Sequence, residues 1–366
     1  MRLNIALFAF IVIISSCKEQ FNPKLDDVNS PLVVDGLITD QAQPYTIQLY
    51  KASKFNSDQV YAQETNANVI VSDDCGNTYN FTETSAGIYV SDPSQFVGQP
   101  GRTYTLAINT NDNNLYHSNP QILLPNNFNV TTYAELGSID QLVDDVDGNP
   151  NKESLQGINL LVDIQNNTDT LPRFRFENKT YLEYSYSVSL SMVKTYAYFC
   201  WNFQNNNGLV NISGEQYLTS SKDIKKHKIC FIPKTETIRV TYEDSVEVDP
   251  FYSFTNISEQ IVKVTQYRIN SETYQFNKDV NTMLAAKSKM FDPGAAQIKG
   301  NVHCDSNSQK LVLGLFEASS VRTNYYAIKP GSTKVTRIIK FEPPYSSGCI
   351  GFISPPFLSP PDFWVN

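Results

Sequence analysis

Three histidines, six cysteines and one acidic run are the residues of this chain whose types could do chemistry. His117, His227 and His303 have no second histidine at metal-ligand spacing, and Cys75, Cys200, Cys230, Cys304 and Cys349 form no C-x-x-C pair. G-x-S-x-G, H-E-x-x-H and the phosphate-cradling G-x-x-x-x-G-K-[ST] are missing from the sequence. A Ser-His-Asp triad assembles from distant residues, and nothing in the order of this chain singles one out. His117, in "NLYHSNP", and His303, beside Cys304, read as surface or strand residues rather than catalysts. The acidic run 144–149 fails the EF-hand pattern: placing Gly148 sixth puts Val143 first, where an acidic ligand is required. A looser calcium site of Asp145, Asp147 and Asn149 is weighed against an acidic solvated loop, and the loop outweighs it. No metal, cofactor or catalytic group is expected, and the chain is read as not an enzyme.

Cys17 is different, because its setting gives its thiol a use. Ile5 to Ile14 is an unbroken apolar run behind Met1 and Arg2. It is shorter than the roughly 20 residues a membrane span needs and fits the apolar region of a secretory signal. Ile14-Ser15-Ser16-Cys17 resembles a bacterial lipobox, whose cysteine carries a thioether-linked diacylglycerol. Each buried acyl methylene contributes roughly 0.8 kcal/mol, so two or three palmitate-type chains anchor firmly. Residues 1–16 are read as the leader and 17–30, polar and proline-bearing, as a tether to the first folded part.

Five cysteines remain. In an exported chain, wide spacing suggests structural disulfides, and an odd number leaves at least one thiol free. Cys75 is taken as the odd one, being alone in the amino-terminal region. A net charge of −8 argues against nucleic acid or anionic lipid headgroups as partners, since both need clustered Lys and Arg. The one basic cluster, Lys222 to Lys228, reads as a solvated turn.

The elements that must position these groups are mostly strands. "VVDGLI", "YTIQLY", "NVIVSD", "TYNFTE", "GIYVSD" and "TYTLAI" alternate with period two between Val33 and Ile108, separated by turn residues. Short strands at that spacing predict an immunoglobulin-like or transthyretin-like β-sandwich over 31–124. Longer strands follow, in a larger antiparallel β domain over 125–366. Ser271 as N-cap, with Phe276, Val280, Met283 and Leu284 at helical spacing, predicts one substantial helix ending near Ser288. The tail from Pro343 holds six of the 19 prolines and cannot be regular structure. The fold class is therefore mainly β with one helix. Twenty-one Tyr and 21 Phe make the chain aromatic. Tyr184 and Tyr186 share a strand face and form a candidate contact surface, weighed against tyrosine hydroxyls at the rim of a large sheet.

The order of segments resembles a family of outer-membrane lipoproteins of Bacteroidota known as domain of unknown function 4249. It runs from the lipobox cysteine through "PLVVDGLITD", "GRTYTLAI", Cys200-Trp201, "FIP", "VTQYRINSETYQF", "FDPGAAQIKGNV" and "LVLGLFEAS" to a Pro-rich end at "PDFW". Genes of that family commonly lie beside TonB-dependent receptors. The resemblance thus implies an outer-membrane, lipid-anchored accessory or binding partner of such a transporter, with no ligand identified. An envelope assembly or structural lipoprotein is the alternative, and a hydrolase the weakest reading. By resemblance the tail is stapled near the strand of Cys200, which makes Cys200–Cys349 the first disulfide choice and Cys230–Cys304 the second. Cys200–Cys230 is the fallback.

Overall fold

The computed structural model describes residues 30–52, 61–144, 150–166, 171–191, 194–205, 209–213, 222–234, 252–286, 298–329 and 332–338. The leader, Cys17, the tether, the acidic loop of Asp145, Asp147 and Asn149, and the tail with Cys349 lie outside these residues.

The short alternating segments form the expected strands. They are Leu32–Thr39 (β1), Thr46–Ala52 (β2), Tyr61–Gln63 (β3), Asn68–Asp73 (β4), Thr78–Ser85 (β5), Ile88–Ser91 (β6), Thr103–Asn109 (β7), Leu115–Ser118 (β8) and Gln121–Ile122 (β9). Their period-two pattern has a direct cause: Leu32, Val34, Ile38, Val69, Val71, Tyr104, Leu106 and Ile108 enter one core, while the residues between them face out. Cys75 lies in the turn after β4, where Asp73 Oδ1 accepts its backbone N–H at 3.0 Å, and it is an exposed free thiol.

The later strands are longer: Asn129–Asp144 (β10), Pro150–Gln165 (β11), Phe174–Ser191 (β12), Lys194–Asn205 (β13), Asn211–Ile212 (β14), Ile224–Pro233 (β15) and Tyr252–Arg268 (β16). A helix, Ser271–Ala286 (α1), precedes Val302–Cys304 (β17), Val312–Ile328 (β18) and Val335–Ile338 (β19). The fold is mainly β with one helix among the described residues. The cap of α1 lies one residue before the expected Ser271: the Asn270 side-chain oxygen accepts the Thr273 N–H at 2.8 Å. The basic cluster read as a turn instead runs into β15, with its lysines on Asp163 and Glu135 and its histidine buried.

Sixteen strands form one curled sheet, and β10, β11 and β15 form a second. β1 is the seam of the large sheet. It pairs antiparallel with β2 on one side and parallel with β18 on the other. β18 spans both halves, pairing β1 through Ser319 and β16 from Ser320 onward. The sheet curls until Lys299 bridges Leu313, so Val302, Cys304, Val312, Phe316 and Ala318 complete the first core. The sandwich expected at 31–124 therefore takes part of its interior from residues far along the chain. The second core lies where the three-stranded sheet covers β12, β16 and β18. Leu160, Val162, Phe174, Phe176, Val262, Val264 and Ile328 meet there.

His227 is buried at 2% exposure beside that second core. Asn211 Nδ2 donates to the Lys228 and Ile229 carbonyls at 3.0 and 2.8 Å. Its Oδ1 therefore faces His227 Nε2, 2.7 Å away, and Nε2 carries the proton. Burial pushes the imidazole pKa down to about 4, whereas the unfolded chain protonates near ~6.5. Stability is thus full above the unfolded value and falls as pH drops from there toward 4. The expected loss is on the order of 3 kcal/mol. Urea midpoints measured from about pH 7 to about pH 4.5 should fall, and the fall should be smaller in His227→Gln.

Candidate functional site

The seam of β1 and β18 gathers charge. In the parallel register Asp35 lies opposite Leu315 and Leu37 opposite Glu317, which puts both carboxylates on one face of neighbouring strands. β12 and β16 bring Arg175 opposite Tyr267 on the same side. Arg175 Nη2 lies 3.2 Å from Glu317 Oε1, and its guanidinium carbon sits 3.9 Å above the Tyr267 ring. Arg175 also pairs with Glu177, which accepts the Tyr267 hydroxyl at 3.0 Å. Ser319 Oγ donates to Glu317 at 2.7 Å.

The electrostatics follow from that packing. Burial opposes the charge of Arg175, but Glu317, then Glu177, outweigh it and raise its pKa. Burial, then Glu177, raises the Tyr267 hydroxyl. Asp35 is raised by burial first and by Glu317 second, with Arg175 offsetting part of the effect. Glu317 has a guanidinium and a hydroxyl, whereas Asp35 has no ion pair or hydrogen-bond partner among the described side chains.

These groups open on a cleft of about 1100 Å³, whose lining includes Asp35, Tyr50, Arg175, Asn178, Leu209 and Phe276. α1 forms one wall, and its position is fixed by the segment from Asn119 to β9. Glu272 accepts from Asn119 Nδ2 and Gln121 Nε2, both at 2.6 Å, and Asn270 Nδ2 donates to Gln121 Oε1 at 2.7 Å. Further along α1, Asn281 exchanges two hydrogen bonds of 2.8 Å with the Val210 backbone. That holds 209–211 beside the opening. A concave site that combines apolar side chains such as Leu209 and Phe276 with convergent charges is suited to seating a ligand.

The residues singled out in sequence fall elsewhere. Tyr184 and Tyr186 lie on β12 opposite Cys200 and Tyr198, with a register irregularity at Tyr184, and their side chains are outside the described part. Cys230 belongs to the second core and Cys304 to the first, and both are buried free thiols. The expected Cys230–Cys304 bridge is corrected accordingly: each is enclosed in a different apolar cluster. Burial pushes the Cys230 thiol up to about 12. The fallback Cys200–Cys230 pair fails as strand neighbours, since Cys200 lies opposite Tyr184 and Cys230 opposite Leu160. His117 and His303 lie directly opposite on β8 and β17, with His117 on Asp305 and His303 Nε2 on Asn119 at 3.0 Å. Among the described residues, no group of three His, Cys, Asp or Glu is arranged to hold a metal. No described helix is long and apolar enough to cross a membrane.

Sequence reasoning missed Asp35, Arg175 and Glu317. The available signal was a charged residue in the middle of each apolar strand, "LVVDGLI", "RFRFEN" and "LGLFEAS". No curated protein and no solved structure matches the chain. Residues 18–325 match the family described as Domain of unknown function (DUF4249), and the chain belongs to that family.

Proposed function

We propose that the protein is a non-catalytic lipoprotein, anchored through Cys17 in the outer membrane, that serves a TonB-dependent transport system by seating a ligand in the seam cleft. The cleft carries this reading: a concavity of about 1100 Å³ with a buried Arg175–Glu317 pair and walls of mixed polar and apolar character. The lipobox supports the anchor. The family resemblance supports the transporter. Purification of the native protein from detergent-solubilised outer membranes should bring a TonB-dependent receptor with it. Cys17→Ala should be exported, lose fatty-acid label and partition to the aqueous phase. Equal labelling of mutant and wild type would overturn the anchor. Recovery of an envelope assembly machine instead of a receptor would overturn the transport role. That second reading, docking on a barrel protein, is favoured by one observation. On the edge strand β10, Leu136, opposite Ile158, is 75% exposed, and the β10–β11 hairpin continues beyond it past the end of β15.

A further inference from the structure

We propose that a second cavity, at one end of the second core, binds a small apolar carboxylate, with its head group on Gln260 and Lys329 and its alkyl part between the two sheets. This cavity shares no lining residue with the seam cleft, and the assignment does not rest on the reading of that cleft.

The cavity holds about 290 Å³, at the lower end of the roughly 300–1,000 Å³ typical of small-molecule sites. The three-stranded sheet contributes Ile158 from β11 and Ile232 from β15, which lie opposite each other. The large sheet contributes Gln260 from β16 and Ile328 from β18, which are also opposite partners. Ile158, Ile232 and Ile328 all belong to the second core, so the cavity continues that core. Leu136, opposite Ile158 on β10, stands at its mouth.

Gln260 is the residue that an apolar core does not need. It has the strand parity of Val262 and Val264, which enter the second core, whereas Ile261 packs in a separate cluster on the other face. Its side chain is therefore directed into the space between the sheets. It is 2% exposed, and its Oε1 is buried with no hydrogen-bond partner among the described residues. Buried carboxamides are hydrogen-bonded in the great majority of cases, and an apolar residue would close the core here without that cost. A half-turn about the last side-chain bond exchanges oxygen and nitrogen, so the group presents a donor to the cavity as readily as an acceptor.

Charge chooses the ligand. Lys329 directly follows Ile328, the partner of Gln260, which puts an ammonium group one residue from the carboxamide's partner. Lys234, whose backbone N–H donates to the Gln156 carbonyl at 2.8 Å, brings a second cation to the lining. No carboxylate among the described residues lines the cavity. A carboxylate accepts from Nε2 of Gln260 and from an ammonium at once, and both hydrogen bonds are charge-assisted. An alcohol satisfies Gln260 and leaves the lysines unused, while an amine meets like charge. The isoleucines, with Pro233, then cover an alkyl chain.

The test is calorimetry with octanoate, octanol and octylammonium. It uses the full chain carrying Cys17→Ala, so that no detergent competes for the alkyl chain. Octanoate should bind about tenfold or more tighter than octanol, with octylammonium weakest. Lys329→Gln, at an exposed position, should weaken octanoate by at least about threefold and leave octanol unchanged. Gln260→Leu should weaken octanoate by about tenfold without lowering the thermal midpoint, because a buried carboxamide lacking a partner is exchanged for an apolar side chain. A lower midpoint in Gln260→Leu would show that the carboxamide serves the fold and would overturn its role as a ligand group. Equal affinity for octanoate and octylammonium, or octanoate binding unchanged in Lys329→Gln, would overturn the carboxylate assignment. Absence of binding by all three would overturn the site.

Discussion

Replacing Arg175 by alanine should lower the stability of the protein by about 3–5 kcal/mol, the cost of leaving one partner of a buried ion pair behind. The side chains of Arg175 and Glu317 are 13% and 8% exposed. Removing the guanidinium strands the Glu317 carboxylate at the seam, facing Asp35, with Ser319 as its remaining hydrogen-bond partner among the described residues. It also removes the cation over the Tyr267 ring and one partner of Glu177. Chemical denaturation should show the loss as a lower midpoint with an unchanged slope. The double variant Arg175→Met with Glu317→Gln should recover more than half of it, because position 317 no longer holds a buried carboxylate without its cation. Equal losses in the single and double variants would mean that packing, not charge, is what Arg175 contributes.

Gly314→Ala should be damaging for a different reason, at about 3 kcal/mol or more. Gly314 lies opposite Val34 in the parallel pairing of β1 and β18, with φ at +87°. A Cβ there would stand 2.0 Å from the Val34 carbonyl oxygen. Backbone cannot yield as a flexible side chain does, so β18 must move from β1, and Asp35 and Glu317 lose their register. Gly76→Ala is the control. Its φ is +86°, yet a Cβ there meets nothing within 4 Å. It should cost only the left-handed conformation, roughly 1–2 kcal/mol. The difference between the two denaturation midpoints measures the seam's close approach. Equal losses would show that the approach contributes nothing.

Much of the fold was legible because each short strand carries its own alternation. "TYTLAI" buries Tyr104, Leu106 and Ile108 wherever it pairs, so its strand character needs no distant information. The helix was legible from the spacing of its apolar residues. Its cap was displaced by one because Asn270 and Ser271 are both good caps and only the side-chain geometry decides. The parallel seam was not legible. Nothing local in "LVVDGLI" names "LVLGLFEAS" as its partner, and the cleft exists only once they pair. The same reason hid the correct standing of Cys230 and Cys304: spacing in sequence does not say which of two apolar clusters encloses a thiol. His227 was taken for part of a solvated cluster because its neighbours are lysines. Alternation along β15 buries it and leaves Lys226 and Lys228 outside.

Site-specific photocrosslinking in cells tests the central claim most directly. Leu209 lines the cleft at 56% exposure, so a photoreactive phenylalanine analogue placed there reports what meets the opening. The account predicts an adduct with a TonB-dependent receptor that disappears in Cys17→Ala. Adducts confined to envelope assembly proteins, or none while the protein stays membrane-bound, would contradict it.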